Sequence, residues 1–257
     1  AAAIATGVKL AQPELDVWVV SGDGDSLSIG GNHLLHLLRR NVDLVYLLFN
    51  NEVYGLTKGQ ASPTSPVGQV TPSTPMGSLD EPVHAGRYVL GCGGTFFARV
   101  PDVAQAQLVE VMKAAHAHGG TGFVEILQNC IVYHDGAWST VTDKKTAADR
   151  QLWCRHGEPL RFGENGAKAL RLNPSALALE VFTPGVDGGE DEALVHDAAN
   201  PLLARLLCEL EEPVALGVIH RRDAAVLERR HHAARPEQRR DPRALQALLN
   251  GGDTWTI

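Results

Sequence analysis

Two clusters of oxygen-bearing residues, each following an apolar run, are the part of this chain best suited to chemistry. The first is Gly22-Asp23-Gly24-Asp25 and the second is Asn50-Asn51-Glu52-Val53. Asp23 offers a hard carboxylate and Asn51 a neutral amide oxygen. Magnesium prefers hard oxygen donors and commonly shares its octahedral shell with phosphate and water. Gly22 and Gly24 lack side chains, so backbone amides there can approach a phosphate closely, and a helix beginning just beyond adds its positive end. A magnesium diphosphate suits this donor set. Read alone, Gly-Asp-Gly-Asp is equally an ordinary tight turn between strand and helix. Asp25 competes with Asp23 for a cation, or caps the following helix.

The elements that must position these residues are legible from apolar patterning. Val17 to Val20 reads as a buried strand ending at Ser21, with the strand spanning Asp16 to Val20 at its widest. Leu27, Ile29, Leu34, Leu35, Leu37 and Leu38 recur at near-helical spacing, and Val42 to Phe49 is a second buried strand. Both oxygen clusters therefore sit at the carboxyl ends of strands, where open parallel sheets gather their ligands. A helix over 1–11 precedes this unit. Residues 61–79, rich in Pro, Ser and Thr, read as an extended loop: a flexible linker, or an ordered loop that helps to close a site. Residues 80–93 predict a short helix and a Gly-rich turn. A strand over 96–100 is followed by a helix beginning at Pro101, with Val103, Leu108, Val111 and Met112 on its buried face and Gly119-Gly120 at its end. Another strand covers 123–127.

This alternation predicts an α/β fold with a doubly wound parallel sheet and right-handed crossovers. Beyond Cys130 the rhythm weakens. A hairpin over 169–181, an exposed acidic run over 190–192 and a helix over 201–210 are expected there. The final 35 residues, dense in Arg and His, read as a solvated tail or a partner-facing segment. The natural division is a domain over 1–165 and an irregular C-terminal extension over 166–257.

The spacing between the two clusters is more telling than either alone. Gly22-Asp23-Gly24, then the 25 residues from 25 to 49, then Asn50-Asn51 resembles the diphosphate-binding motif of thiamine diphosphate enzymes. The longer strings GDGDSLSIGGNH and NNEVYGLTKGQASPTS, with Pro75-Met76-Gly77-Ser78-Leu79 and Val124 to Cys130 (VEILQNC), resemble the beta subunit of 2-oxoacid:ferredoxin oxidoreductases. Within that family the likeness is to the 2-oxoglutarate-type branch, and it covers most of residues 3–165.

The resemblance implies a thiamine diphosphate-binding domain in which Asp23, Asn51 and the Val53 carbonyl hold magnesium. Gly22, Gly24, Asp25, Gly55 and Leu56 lie beside the cofactor, and Leu56 and Lys58 line the substrate pocket. Lys58 there suits a 2-oxoacid carboxylate or anionic coenzyme A. The implied reaction converts a 2-oxoacid (2-oxoglutarate or pyruvate) and coenzyme A to acyl-CoA, carbon dioxide and reduced ferredoxin. It also implies an alpha subunit that carries the pyrimidine-binding domain and the activating Glu. Cys130 matches the fourth ligand of a [4Fe–4S] cluster, whose other cysteines belong upstream. On that likeness the chain is expected to lack the family's N-terminal portion. Such a cluster normally needs four thiolates, and Cys92, Cys154 and Cys208 lack the spacing to supply them. Two other readings stand beside this one: a ferredoxin-independent decarboxylase or carboligase subunit, and a non-catalytic subunit that binds diphosphates.

Composition narrows the classes further. A net charge of −7 argues against general nucleic-acid binding. No apolar run approaches a membrane span. Four widely spaced cysteines do not form a secreted disulfide framework, so a reducing cytoplasm is the expected compartment. His33 and His36 lie at helical spacing but among leucines, which favours a structural role, and His156 has no local nucleophile to serve.

Overall fold

The structure is a computed structural model and describes residues 1–234 and 242–252. In chain order its elements are α1 (Ala2–Ala11), β1 (Trp18–Gly22), α2 (Gly31–Arg40), β2 (Leu44–Asn50), β3 (Val53–Tyr54), β4 (Gln60–Ala61), α3 (Ala85–Gly91), β5 (Phe96–Pro101), α4 (Gln105–His116) and β6 (Thr121–Leu127). Then follow α5 (Ser139–Thr142), α6 (Ala147–Arg150), β7 (Gln151–Cys154), β8 (Arg161–Phe162), β9 (Lys168–Asn173), β10 (Ala178–Phe182), α7 (Pro201–Glu209), β11 (Val214–Arg221), α8 (Leu227–Ala233) and α9 (Pro242–Leu249).

The central sheet has the order β1-β2-β6-β5-β11-β7. Strands β1, β2, β6 and β5 run parallel. Strand β11 is antiparallel to β5 and parallel to β7, so the sheet is mixed at that side. Helices cover both faces, as expected of a doubly wound fold. On one face Leu34, Leu37 and Leu38 of α2 pack with Val19, Tyr46, Leu48 and Phe123. On the other, Val111 and Ala115 of α4 pack with Val45, Leu47, Phe96 and Ile126. Alternate residues of a strand point to opposite faces, so strands covered on both sides must be apolar throughout. That is why β2 and β6 read as continuous apolar runs.

Several boundaries depart from the sequence expectation for identifiable reasons. The first strand runs to Gly22 because it pairs with β2 as far as Gly22 opposite Phe49. Asp23 therefore falls beside Asn50. The segment expected to be one helix over 27–38 is divided. A five-residue π turn, Asp25–Ile29, comes first, and α2 starts only at Gly31. Gly30 closes the turn with its amide on the Asp25 carbonyl at 2.9 Å. A Cβ at Gly30 would sit 2.2 Å from that same oxygen, so only glycine fits. Asp25 makes no side-chain cap and is exposed.

Pro101 does not begin a helix. It ends β5, paired with Leu127, and Asp102 bonds the Leu127 carbonyl at 3.0 Å. Helix α4 follows at Gln105, which leaves Val103 exposed. In the C-terminal region the expected hairpin forms as β9 and β10, and α7 forms with Asn200 as its N-cap. The sheet strands β7 and β11 were not expected. Gly217 (φ 87°) and a register shift between Val218 and His220 interrupt the pattern of β11. Of the Arg- and His-rich final stretch, residues 227–233 form α8, whose Glu228 is buried and accepts the Asp43 amide at 2.7 Å. Arg239 and Arg240 lie outside the described residues. No described helix is long and apolar enough to cross a membrane.

Candidate cofactor-binding site

Asp23 is 2% exposed at the carboxyl end of β1. Its Oδ2 accepts two hydroxyls, from Ser62 Oγ at 2.5 Å and Thr64 Oγ1 at 2.6 Å. Burial pushes the Asp23 carboxyl above its ordinary range, and the Ser62 and Thr64 hydroxyls and nearby backbone amides pull it back. Both hydroxyls come from the Pro/Ser/Thr-rich segment, which decides between its two readings. The segment is an ordered loop folded over the site. Gly68 bonds the Ser78 carbonyl at 2.7 Å, Val83 bonds that of Pro63 at 2.8 Å, and Ser65 Oγ bonds the Glu52 carbonyl at 2.7 Å.

The turn between the carboxylate and α2 is shaped by close contacts. Gly24 lies under Tyr54, whose hydroxyl donates to the Gly24 carbonyl at 3.1 Å. A Cβ at Gly24 would reach 2.1 Å from the Tyr54 ring. Gly22, in contrast, has nothing within 4 Å of where a Cβ would stand, so the backbone above it is open to a ligand. Ser26 ties the π turn to β2 through the Tyr46 hydroxyl at 2.8 Å.

The second cluster divides its labour between two asparagines. Asn50 is buried: its Nδ2 donates to Glu125 Oε1 at 2.8 Å, and its Oδ1 meets Thr64 Oγ1 at 3.0 Å. Asn51 is half-buried. Its Oδ1 accepts the Val53 amide at 3.3 Å, and its carbonyl accepts from His134 Nδ1 at 3.3 Å. Glu52 has φ 58°, a left-handed backbone uncommon for a residue with a side chain, and this turn buries Val53. Burial, aided by the charges of Asp23 and Glu125, raises the Glu52 carboxyl to about 8. Leu56 and Lys58 occupy the exposed tip of the β3–β4 hairpin, and neither bonds to the Asp23 cluster. Gly55 begins that tip, its carbonyl accepting the Lys58 amide at 3.1 Å.

Sequence reasoning missed Ser62, Thr64, Glu125, Arg99 and Tyr54. Glu125 and Arg99 left a trace: each is a charge inside an apolar strand run, and the β5–β6 register sets them opposite one another. Arg99 Nε meets Glu125 Oε2 at 2.6 Å, both buried. Beside them lies a cavity of about 270 Å³, also lined by Asn50, Glu52 and Thr64.

A hard divalent cation with a diphosphate fits these residues. The donors are oxygens, Asp23 is the most deeply buried carboxylate of the cluster without a cationic partner, and open space lies over Gly22. An iron–sulfur cluster does not fit this chain alone. Cys130 has no second thiol beside it, since Cys154 and Cys208 belong to the core and Cys92 packs against it. Among the described residues no three His, Cys, Asp or Glu side chains form a metal-holding group, which leaves His33 and His36 without one.

Residues 1–126 match the family model of the thiamine pyrophosphate enzyme C-terminal TPP binding domain. The chain is 46% identical over 267 residues to 2-oxoglutarate oxidoreductase subunit KorB of Mycobacterium tuberculosis, covering 100% of this chain and 70% of that protein. It is 46% identical over 133 residues to 2-oxoacid:ferredoxin oxidoreductase 1, subunit beta, of Aeropyrum pernix, covering 52% of this chain and 42% of that one. Among solved structures it matches 2-oxoglutarate:ferredoxin oxidoreductase from Magnetococcus marinus with 2-oxoglutarate, coenzyme A and succinyl-CoA bound. That match has a TM-score of 0.69 and 26% identity, and covers 96% of this chain and 72% of that chain. With this identity and coverage over a shared fold, the chain belongs to the KorB family, the beta subunits of 2-oxoacid:ferredoxin oxidoreductases.

Proposed function

We propose that this chain is the thiamine diphosphate-binding subunit of a 2-oxoacid:ferredoxin oxidoreductase, acting on 2-oxoglutarate or a related 2-oxoacid with coenzyme A. The observation that carries the reading is Asp23, a buried carboxylate at a strand end, beside the Asn50–Val53 loop of the neighbouring strand and open space over Gly22. When bound, thiamine diphosphate supplies the nucleophilic carbon for decarboxylation of the 2-oxoacid. Asp23, Asn51 and the Val53 carbonyl would hold magnesium, and the open backbone at Gly22 would receive the diphosphate, with Gly24 beside it as the tight turn under Tyr54. Asp25, exposed on the turn that follows, is a further cofactor contact in this reading. Gly55, Leu56 and Lys58 meet cofactor and substrate from the hairpin tip, where Lys58 pairs with a substrate carboxylate.

An alpha subunit completes the site and carries the pyrimidine-binding half with its activating Glu. Support for such a partner comes from apolar side chains left exposed on the segments after β1, β3, β4 and β6: Ile29, Leu56, Met76, Leu79, Ile131 and Val132. Residues 166–257, apart from the sheet strand β11, form the C-terminal extension. Cys130 joins a [4Fe–4S] cluster only with thiolates from outside the described residues, and ferredoxin is the acceptor of the electrons. Four free thiols suit a reducing compartment such as the cytoplasm.

The test is binding of thiamine diphosphate and magnesium to the assembled complex, read as a rise in unfolding temperature. Asp23→Asn should remove that rise and abolish 2-oxoacid oxidation. A variant that keeps both would sink the ligand assignment.

A further inference from the structure

We propose that Thr64, assisted by Ser62, is a positioning residue that aims the Asp23 carboxylate at the cation. Thr64 is in turn oriented by a buried chain running through Asn50 and Glu125 to Arg99. This rests on the reading of Asp23 as a metal ligand.

Each link is short and nearly dry. Arg99 donates from Nε to Glu125 Oε2 at 2.6 Å, and Asn50 Nδ2 donates to Glu125 Oε1 at 2.8 Å. A carboxylate only accepts, so Glu125 dictates which way the Asn50 amide faces. With its NH2 toward Glu125, Asn50 presents Oδ1 to Thr64 Oγ1 at 3.0 Å. Thr64 is the hub, since its hydroxyl touches both Asn50 and, at 2.6 Å, Asp23 Oδ2. The hydroxyl carries one hydrogen and is the donor toward both oxygens, so that hydrogen is shared between them, more strongly with the nearer, charged Asp23, while the Asn50 arm fixes its direction. Ser62 supplies the second donor to Asp23 at 2.5 Å. Both hydroxyls sit on Oδ2, and the carboxylate plane they set decides where Oδ1 points.

A bland account would have these hydroxyls merely satisfying one another in a Ser-rich loop. Burial and direction argue otherwise. Ser62, Thr64, Asn50, Glu125 and Asp23 are all buried, and they converge on the one carboxylate of the group that has no cationic partner. Residues that orient metal ligands in this way are typically worth about 10- to 100-fold in metal affinity.

The experiment uses the assembled enzyme complex stripped of cofactor and cation. Mn2+ is titrated in the presence of thiamine diphosphate, and free Mn2+ is read by electron paramagnetic resonance. Thr64→Val keeps the shape and removes the hydroxyl, and should weaken Mn2+ binding about 10- to 100-fold, whereas Thr64→Ser should stay within about threefold of the parent. Glu125→Gln should also weaken binding, and combined with Thr64→Val it should add little, because both act through one chain. If Glu125→Gln fails to assemble, Arg99→Met with Glu125→Leu removes both charges and the acceptor together, and the same weakening is expected.

Three results would overturn the proposal: Thr64→Val binding like the parent, Val and Ser variants equally weak, or effects of Thr64 and Glu125 that multiply. Asp23→Asn separates the two levels. If it retains Mn2+ binding, the ligand assignment falls and this inference with it. If it loses Mn2+ while Thr64→Val does not, only the positioning role falls.

Discussion

Asp23 and Arg99 mark the two ends of one buried polar chain, and they answer differently to substitution. The Arg99–Glu125 pair is desolvated on both sides, so its value lies in mutual compensation. Removing one partner of such a pair leaves an uncompensated buried charge and typically costs about 3–5 kcal/mol, whereas replacing both by apolar residues is often neutral. Arg99→Met is therefore expected to lower stability by about that amount, and Arg99→Met with Glu125→Leu to recover most of it, read by denaturant unfolding. A double variant as unstable as the single would show that the charges themselves are needed. At this scale the sequence singled out Asp23, Asn51 and the glycines as candidates, because cation and phosphate chemistry narrows the residue types. It was silent on Ser62 and Thr64, whose hydroxyls are commonplace until the loop folds inward.

The π turn is the element that most constrains the site. It sets Asp25 and Ile29 outward and Ser26 inward, and it delays α2 until Gly31. Gly30 permits it, because a methyl there would meet the Asp25 backbone oxygen, which cannot rotate away. Gly30→Ala should cost about 1–3 kcal/mol as overpacking, and it should weaken thiamine diphosphate binding by shifting the turn above Asp23. Unfolding and ligand titration measure the two effects separately. Unchanged ligand affinity in a destabilised variant would show that the turn does not touch the site. Helical periodicity hid this break, since Leu27 and Leu34 through Leu38 sit on one apolar stripe whether or not the helix is continuous.

For the whole molecule, the end of the sheet opposite the site is closed by a second polar network. Thr95 bonds Asn41 Oδ1 at 2.6 Å and His118 Nε2 at 2.8 Å, and Asn41 Nδ2 reaches the carbonyls of Ala224 and Ala225. His118 is buried, and burial, with the Arg221 charge second, lowers its imidazole from 6.5 to about 4. The unfolded chain therefore binds a proton that the folded one refuses. The stability held by neutral His118 is fully present above pH 6.5 and is lost as the pH falls from 6.5 toward about 4. The loss amounts to no more than about 3 kcal/mol. His118→Gln should flatten that acid limb in unfolding measured across this range. An unaltered pH profile would exclude His118 as its cause.

The class of fold was legible in the sequence alone, and the thiamine diphosphate cofactor through its family resemblance. Apolar runs of strand length alternating with helical stripes leave few arrangements besides a two-faced sheet, and carboxylate, amide and glycine at two strand ends suit a cation with a diphosphate, a reading made specific by the likeness to thiamine diphosphate enzymes. What only the tertiary structure decided is the set of long-range pairings. These are Ser62 and Thr64 on Asp23, Arg99 on Glu125, and β11 between β5 and β7. Each joins residues far apart in the chain, and local pattern carries no information on which distant partner a buried polar group will meet. The Gly-Asp-Gly-Asp turn and the Asn-Asn loop were legible as candidates, but the hydroxyls and the ion pair packed around them come together only once the sheet has formed.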